Sequence, residues 1–202
     1  MIIKNKYATY LGHAYAGLFG VWAQKWTAPD AAAAANVLAA VTLANGETTT
    51  KDVDDFLVQP DFPRNLTVTG NQTQAKTVAI TGTDIRGNVI TDTLTLNNTD
   101  TIQGTKAFKT ITSILFPSRT AGGDTVTVGF GDKLGLEVIP AIATAISAHS
   151  TATLEGTLPT ITRHATDISQ NLCDFNTACN ATADKFVVFY TADRPNKLSR
   201  TS

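Results

Sequence analysis

The sequence predicts a mainly β protein: an antiparallel β-sandwich or barrel with an N-terminal arm and one short alanine-rich helix. Roughly one residue in six is threonine, and a β-branched side chain suits a pleated, half-buried sheet surface. From Leu66 onward, apolar and polar residues alternate with a period of two, which is typical of strands with one buried face. Turn residues separate these runs at intervals of about ten residues, as in sandwiches and barrels.

The composition limits the classes of partner. The chain has 202 residues, of which 43% are hydrophobic and 16% charged, and its formal net charge is -1. The charged fraction is low, since about a quarter is usual, so neutral polar groups must cover the surface. Nucleic-acid binding needs clustered positive charge, and the basic residues here are scattered, so no nucleic-acid partner is predicted. No apolar run approaches the roughly 20 residues of a membrane span, so no membrane partner is predicted either.

The first 28 residues form the predicted arm and hold both tryptophans. Their large apolar residues recur at helical spacing: Leu11, Tyr15, Leu18, Phe19, Trp22 and Trp26. Interspersed glycines each cost a helix about 1 kcal/mol relative to alanine, so a short amphipathic helix and an irregular arm both fit. The aromatic residues either pack on their own domain or anchor on a partner, because interface centres are enriched in aromatics. His13 and the glycines disfavour a signal peptide.

The stretch "PDAAAAANVLAAVTLANG" is the predicted helix. Pro29 and Gly46 bracket it as start and stop signals, and alanine is the best helix former. An apolar stripe would lie on one side of this helix, formed by Val37, Leu38, Val41 and Leu43.

The acidic stretch that follows, "ETTTKDVDDFLVQPDFPRN", contains two prolines and is predicted to be an extended connector, because residues before proline prefer extended conformations. Three of its carboxylates are candidate interface residues: Asp54, Asp55 and Asp61. The predicted organisation is an arm and helix over residues 1–58, a β-sandwich domain over 59–195 and a C-terminal tail over 196–202.

A threonine-rich hairpin is predicted in "TVAITGTDIRGNVITDTLTL", residues 77–96. Val78 and Ile80 lie on one face of its first strand, and threonines lie on the other. "DIRGN" is typical of a turn, and the second strand again has one aliphatic face. We expect the aliphatic face to be buried, and the threonine face to meet solvent or a neighbouring subunit, where cross-strand threonine pairs add modest stability.

Further strands are predicted along the rest of the chain. "AFKTITSILF" has apolar residues on both sides, Phe108, Ile114 and Phe116 against Ile111 and Leu115, which predicts a strand buried on both faces. "TVTVGF" predicts a strand, "GDKLG" a turn, and residues 142–156 a strand or a short helix. "KFVVFYT" predicts the last strand.

The sequence offers little that points to catalysis. His13, His149 and His164 stand in no nucleophile motif and in no metal-binding spacing. Paired carboxylates could serve glycoside hydrolysis, but nothing singles out a pair among Asp54, Asp55, Asp61, Asp84 and Asp92, most of which look like turn residues. We therefore predict no enzyme, no catalytic residue, no metal and no cofactor.

The two cysteines stand six residues apart in "CDFNTAC". They are too few for a zinc site or a disulfide framework. Two interpretations stay open for Cys173 and Cys179: small buried hydrophobic residues, or a local disulfide.

Five stretches in this order carry a family resemblance: "QPDFPRNLTVTG", "VAITGTDIRGNVITDTLTLN", "GTKAFKTITSI", "GDTVTVGFGDKLGL" and "NATADKFVVFYTADRP". Together, over about residues 59–195, they resemble virion structural proteins of tailed bacteriophages, of the capsid cement, decoration or head-fibre-like type. The first 58 residues show no such resemblance.

The resemblance implies a capsid cement protein, made in the host cytoplasm and placed on the outer surface of the virion. It would bind the major capsid protein between capsomers and itself, as a homotrimer, and so stabilise the head shell. The residue pattern, not the resemblance, predicts its interface residues: the arm residues Leu11, Tyr15, Phe19, Trp22 and Trp26 together with the three connector aspartates. Deleting residues 1–28 should then abolish shell binding and leave the β domain folded.

Two other functions remain open at the level of sequence. One is a tail, neck, adaptor or fibre protein of a phage, because fold alone does not decide the location within a virion. The other is a glycan-binding β-sandwich module, in which Trp22 or Trp26 would stack on sugar rings.

Overall fold

The computed structural model describes residues 19–71, 75–150, 153–180 and 185–193. Within these ranges the chain forms fourteen strands and two short 3₁₀ helices, Val53–Asp55 and Ile168–Gln170, which confirms the mainly β prediction. The strands are β1 (Phe19–Thr27), β2 (Ala33–Thr42), β3 (Thr49–Asp52), β4 (Arg64–Gly70), β5 (Thr77–Thr83), β6 (Val89–Thr95), β7 (Thr101–Gln103), β8 (Thr110–Phe116), β9 (Thr125–Gly135), β10 (Pro140–Ser150), β11 (Thr153–Leu154), β12 (Thr160–Thr162), β13 (Leu172–Asp174) and β14 (Lys185–Asp193).

The strands form three antiparallel sheets. The first sheet has the order β1-β14-β10-β11, and the third has the order β3-β8-β5-β6. The second sheet has the order β12-β13-β9-β4-β7, with β2 also paired to β9. The two ends of the described chain meet in the first sheet, where Phe19 pairs with Asp193 and Thr27 with Lys185.

Two hydrophobic cores lie between the sheets. The first core is enclosed by the second and third sheets and consists of aliphatic residues and phenylalanines, among them Val78, Ile80 and Phe116. The second core lies beneath the first sheet and contains Trp26 and Tyr190. Strand β9 contributes to both cores, since its first half supplies Val126, Val128 and Phe130 to the first core and its end supplies Leu134 to the second.

The predicted hairpin is confirmed as β5 and β6. In both strands every second residue is buried, so the aliphatic face packs into the first core. Asp84 closes the turn, because its Oδ1 accepts the backbone N–H groups of Arg86 and Asn88. Gly87 has a φ of 83° in this turn, a conformation that side chains other than glycine rarely adopt.

The predicted alanine-rich helix is wrong, because residues 33–42 form strand β2. Alanine's helix preference is worth less than about 1 kcal/mol per residue, whereas burying a Val or Leu side chain contributes about 1.5–3 kcal/mol. As a strand, β2 buries Val37 and Leu38 in the first core and pairs with β9. Gly129 permits the close approach, since a Cβ there would collide with the Ala33 carbonyl oxygen.

The predicted boundary between residues 58 and 59 does not separate an arm from a domain. The described part of the first 58 residues supplies one strand to each sheet: β1 pairs with β14, β2 with β9 and β3 with β8. The predicted connector is extended in strand β3, and the 3₁₀ helix Val53–Asp55 interrupts it. The apolar spacing over Leu11–Trp26 is compatible with a helix, but from Phe19 onward the chain forms strand β1. Residues 1–18 lie outside the described part.

Two details of the strand predictions are also wrong. In β8, Thr81 faces Ser113 while Gly82 faces Ile111, so a bulge at Thr112 shifts the alternation and turns both Ile111 and Ile114 into the core. Leu115 stays 42% exposed, and β8 is buried on one face only.

The predicted turn at residues 131–135 is absent, because β9 continues through them to Gly135. The last residues of β9 exchange β2 for β13 as their neighbour, with Leu134 facing Cys173. The extension of β9 thereby joins the second core to the first.

Candidate interaction surfaces

The outer face of the third sheet carries almost no charge. The residues that point outward come from all four strands, are exposed or half-buried, and include a single charged residue, Asp52. They are Thr50, Asp52, Thr77, Ala79, Thr81, Thr83, Val89, Thr91, Thr93, Thr95, Thr110, Ser113 and Leu115. We call this surface the threonine face. Three strands of seven residues and one of four, at strand spacings of about 4.8 Å and a rise of about 3.3 Å per residue, give it roughly 400 Å².

Hydrogen bonds between strands hold several hydroxyls of the threonine face in place. The Oγ1 atoms of Thr81 and Thr91 lie 3.2 Å apart, and those of Thr83 and Thr110 lie 2.6 Å apart. Thr112 Oγ1 donates to the Thr81 carbonyl oxygen at 3.1 Å. Side chains that are already ordered lose less entropy when a partner binds, so the face suits contact with another protein.

A groove of about 450 Å³ opens between β2 and β3, which are edge strands of different sheets. It is lined by Leu38, Ala39, Ala40, Val41, Thr42, Thr49, Lys51, Asp55 and Leu57. Beside it, the connector exposes three apolar side chains, Val53 at 52%, Leu57 at 64% and Val58 at 46%. We call this site the edge groove. Sequence patterns could not reveal it, because its walls belong to different sheets.

The arm residues predicted at an interface lie in different environments. Trp26 is only 1% exposed and lies in the second core, so its assignment to an interface is wrong. It alternates with exposed Lys25 on a strand, and its ring meets the edge of Phe175. Trp22 is half-buried against the same core. Phe19 begins β1, whereas Leu11 and Tyr15 lie outside the described residues.

The predicted connector residues also lie in two different environments. Asp54 and Asp55 are exposed, beside the edge groove, as an interface requires. Asp55 pairs with Lys51 at 2.9 Å, and this hydrogen bond lowers the pKa of its carboxyl. Asp61 instead serves the fold: its Oδ1 pairs with Arg64 at 3.0 Å, and its Oδ2 accepts the Asp30 backbone N–H.

Arg64 is a buried hub that the sequence did not reveal. Its guanidinium donates to the Gly131 carbonyl oxygen at 2.6 and 3.0 Å and to the Asp30 carbonyl oxygen at 2.8 Å. It also stacks over the Phe130 ring, 5.0 Å from the centroid. These contacts surround the point where β9 passes from one core to the other, so Arg64 holds the two cores together.

The other titratable side chains mostly stabilise turns. His164 Nδ1 accepts the Asp167 backbone N–H, and His149 packs edge-on against Phe189. Asp92 is buried in β6 and accepts the backbone N–H groups of Thr105 and Lys106. Within the described residues, no group of three or more His, Cys, Asp or Glu side chains could hold a metal ion.

Both cysteines are buried and unbonded, so the interpretation as small buried hydrophobic residues is confirmed and a local disulfide is not formed. Burial raises the pKa of Cys179 to about 12 and that of Cys173 well above its usual range. Both groups are therefore neutral thiols at physiological pH and poor nucleophiles.

Comparison of the chain with known protein families, with curated proteins and with solved structures found no match. Of the helices in the described ranges, none is long and apolar enough to span a membrane.

Proposed function

We propose that the chain is a non-enzymatic virion structural protein, a capsid cement or decoration protein that stabilises a phage head shell by binding between capsomers. The observation that carries this proposal is the threonine face, an ordered surface on which one outward-pointing residue, Asp52, is charged. The sequence resemblance over about residues 59–195 supplies the class of partner, the major capsid protein, and the location, the outer capsid surface.

The size of the threonine face bears on how such a protein would bind. A stable interface buries about 800 Å² on each partner, and roughly 400 Å² is half of that. One face alone would bind weakly. A homotrimer that presents three such faces would bind far more tightly, because each further contact forms at a high effective concentration. The proposal therefore includes self-association.

The glycan-binding alternative loses its main candidate. Stacking on a sugar needs an exposed ring, and Trp26 is only 1% exposed, whereas Trp22 is half-buried against the second core. The same fold could serve in the tail, the neck or a fibre. The number of copies per virion, rather than the fold, distinguishes these locations from the shell.

The test is the number of copies per virion, measured by quantitative mass spectrometry against the major capsid protein in particles of the phage that encodes the chain. A number comparable to that of the capsid subunit is expected for a shell-wide cement protein. A handful of copies would contradict the cement proposal and favour the neck or tail. Absence from washed particles would contradict any structural role in the virion.

A further inference from the structure

We propose that the edge groove binds the N-terminal segment of this chain, residues 1–18. This inference does not depend on the proposed function, because it concerns contacts that copies of the purified chain make without a shell. Three independent features of the groove favour binding of an extended segment with apolar and basic side chains. Residues 1–18 carry such side chains.

The first feature is a strand edge with no charged residue, on which the Leu57 backbone N–H donates to the Val37 carbonyl oxygen at 2.9 Å. Natural proteins guard exposed edges with charged residues, prolines or very short strands. The ten residues of β2 include no charged residue and no proline, whereas β1 carries Lys25 and β7, β11 and β12 have two or three residues each. Among the described strands, β2 pairs only with β9. Its exposed Ala39 and Ala40 are small enough to let another backbone approach and pair with it, as an added strand does.

The second feature is apolar surface. Val53, Leu57 and Val58 are 52%, 64% and 46% exposed beside the groove, close together in sequence and on the same connector. Residues 1–18 contain complementary apolar and aromatic side chains, namely Ile2, Ile3, Tyr7, Tyr10, Leu11, Tyr15 and Leu18. Burying apolar area of this kind stabilises a complex by about 25 cal/mol per Å² before the costs of association.

The third feature is charge. Residues 47–55 hold the carboxylates of Glu47, Asp52, Asp54 and Asp55 against a single base, Lys51. Lys51 is engaged with Asp55. Asp54 is exposed and makes no hydrogen bond or ion pair within the described residues. Residues 1–18 carry Lys4 and Lys6 and no acidic residue, so the two surfaces attract each other.

The length of residues 1–18 does not limit their contact with the groove. Eighteen extended residues span up to about 60 Å, more than the length of any strand in the molecule. The groove can therefore receive the segment from its own chain or from a neighbouring copy, and the size of a cross-linked product distinguishes the two.

The experiment is disulfide cross-linking of the purified full-length chain. Ala40→Cys places a thiol in the groove, Tyr10→Cys places one in the segment, and mild oxidation is followed by a non-reducing gel. The matched control replaces Ala40→Cys by Thr93→Cys, an equally exposed site on β6 at the opposite edge of the third sheet. The native thiols are buried and do not compete. Equal unfolding midpoints in urea establish that both variants fold.

A high cross-linking yield with Ala40→Cys and a low yield with Thr93→Cys are expected. A product of twice the chain mass would show exchange between copies, and a faster-migrating monomer would show contact within one chain; either supports occupancy of the groove. Equal yields from the two pairs, or no product from Ala40→Cys, would overturn the proposal.

Charge reversal gives a second readout. Asp54→Lys should lower the Ala40–Tyr10 cross-linking yield about twofold to fivefold, the size expected from one exposed ion pair. Adding Lys4→Asp and Lys6→Asp should restore the yield. A yield that Asp54→Lys leaves unchanged would remove the electrostatic part of the argument and contradict the proposed complementarity.

Discussion

The two hydrophobic cores are built from different parts of the chain and by different kinds of contact. The first core draws on residues 37–130 and contains only aliphatic residues and phenylalanines. The second core contains Trp26, Tyr190 and both cysteines, and it closes only when β1 pairs with β14 at the other end of the chain. The hairpin of the first core follows from local alternation, whereas strand β2 of the same core and the closure of the second core depend on pairing between residues that are remote in sequence.

Strand β9 prevents these cores from being independent. It supplies Phe130 to the first and Leu134 to the second, and Arg64 binds the backbone between them through Gly131. Loss of order in one core should then spread through β9 to the other. We expect a single cooperative unfolding transition, and the predictions below test this coupling and the difference between the cores.

The largest effect is expected for Arg64→Met at the junction. Removing one partner of a buried ion pair costs about 3–5 kcal/mol, because Asp61 loses its cation and the Gly131 and Asp30 carbonyls lose their donors. The free energy of unfolding in urea measures this loss. The matched control is Lys51→Met, which breaks an exposed pair and should cost at most about 0.5 kcal/mol. A similar, small loss for both variants would refute the role of Arg64 as a hub.

Trp26→Ala and Ile80→Ala compare the cores directly. Truncating a buried tryptophan costs about 3–5 kcal/mol, and truncating a buried isoleucine about 2–5 kcal/mol. Both side chains are at most 1% exposed. If β9 couples the cores, each variant lowers the midpoint of one transition that is common to circular dichroism and tryptophan fluorescence. Two separated transitions in either variant would show that the cores unfold independently.

Alkaline pH should act through the second core, because its members include Cys173, Cys179 and Tyr190 and no member of the first core titrates. Burial raises the pKa of Cys179 from 9.0 to about 12, and it also raises the pKa of Tyr190. The unfolded chain releases these protons first, so stability is full below pH 9 and falls as the pH rises toward the folded-state values.

The Cys179 contribution lost at pH 10 should be about 1 kcal/mol. Urea unfolding measures the difference in the free energy of unfolding between pH 7 and pH 10. Cys179→Ala should reduce this difference by that amount, because the cavity it leaves lowers stability equally at both pH values. An unchanged pH dependence in this variant would mean that the thiol titrates normally in the folded chain.

The smallest effect on stability is expected on the threonine face. Thr91→Ala removes one cross-strand hydroxyl contact and should cost no more than about 0.5–1 kcal/mol. Urea unfolding measures it. A loss as large as that of Ile80→Ala would mean that this face is part of the fold rather than a surface left for a partner.

The sequence predicted one part of the first core, the hairpin, and missed another part, strand β2, for a physical reason. In β5 and β6 every second residue is buried, so the period of two, the turn at Asp84 and the exposed threonines could all be derived from neighbouring residues. Strand β2 was missed because alanine favours a helix locally, while pairing with β9 is a contact between distant residues.

The candidate surfaces were predictable to different degrees for the same reason. The exposure of Asp54 and Asp55 and the uncharged outer face of the hairpin follow from local pattern. The burial of Trp26, the role of Arg64 and the existence of the edge groove follow only from the way the three sheets pack. No spacing in the sequence marks them.

The most direct test of the central claim, that the threonine face is a binding surface, is co-sedimentation with empty phage capsid shells, the partner proposed for the chain. Thr93→Lys places a charge on that face, in its edge strand β6, and Thr162→Lys places the same charge on exposed β12 as the control. Both should fold with unchanged urea midpoints. We predict that Thr93→Lys loses shell binding and Thr162→Lys retains it. Equal binding by the two variants would contradict the assignment of this face.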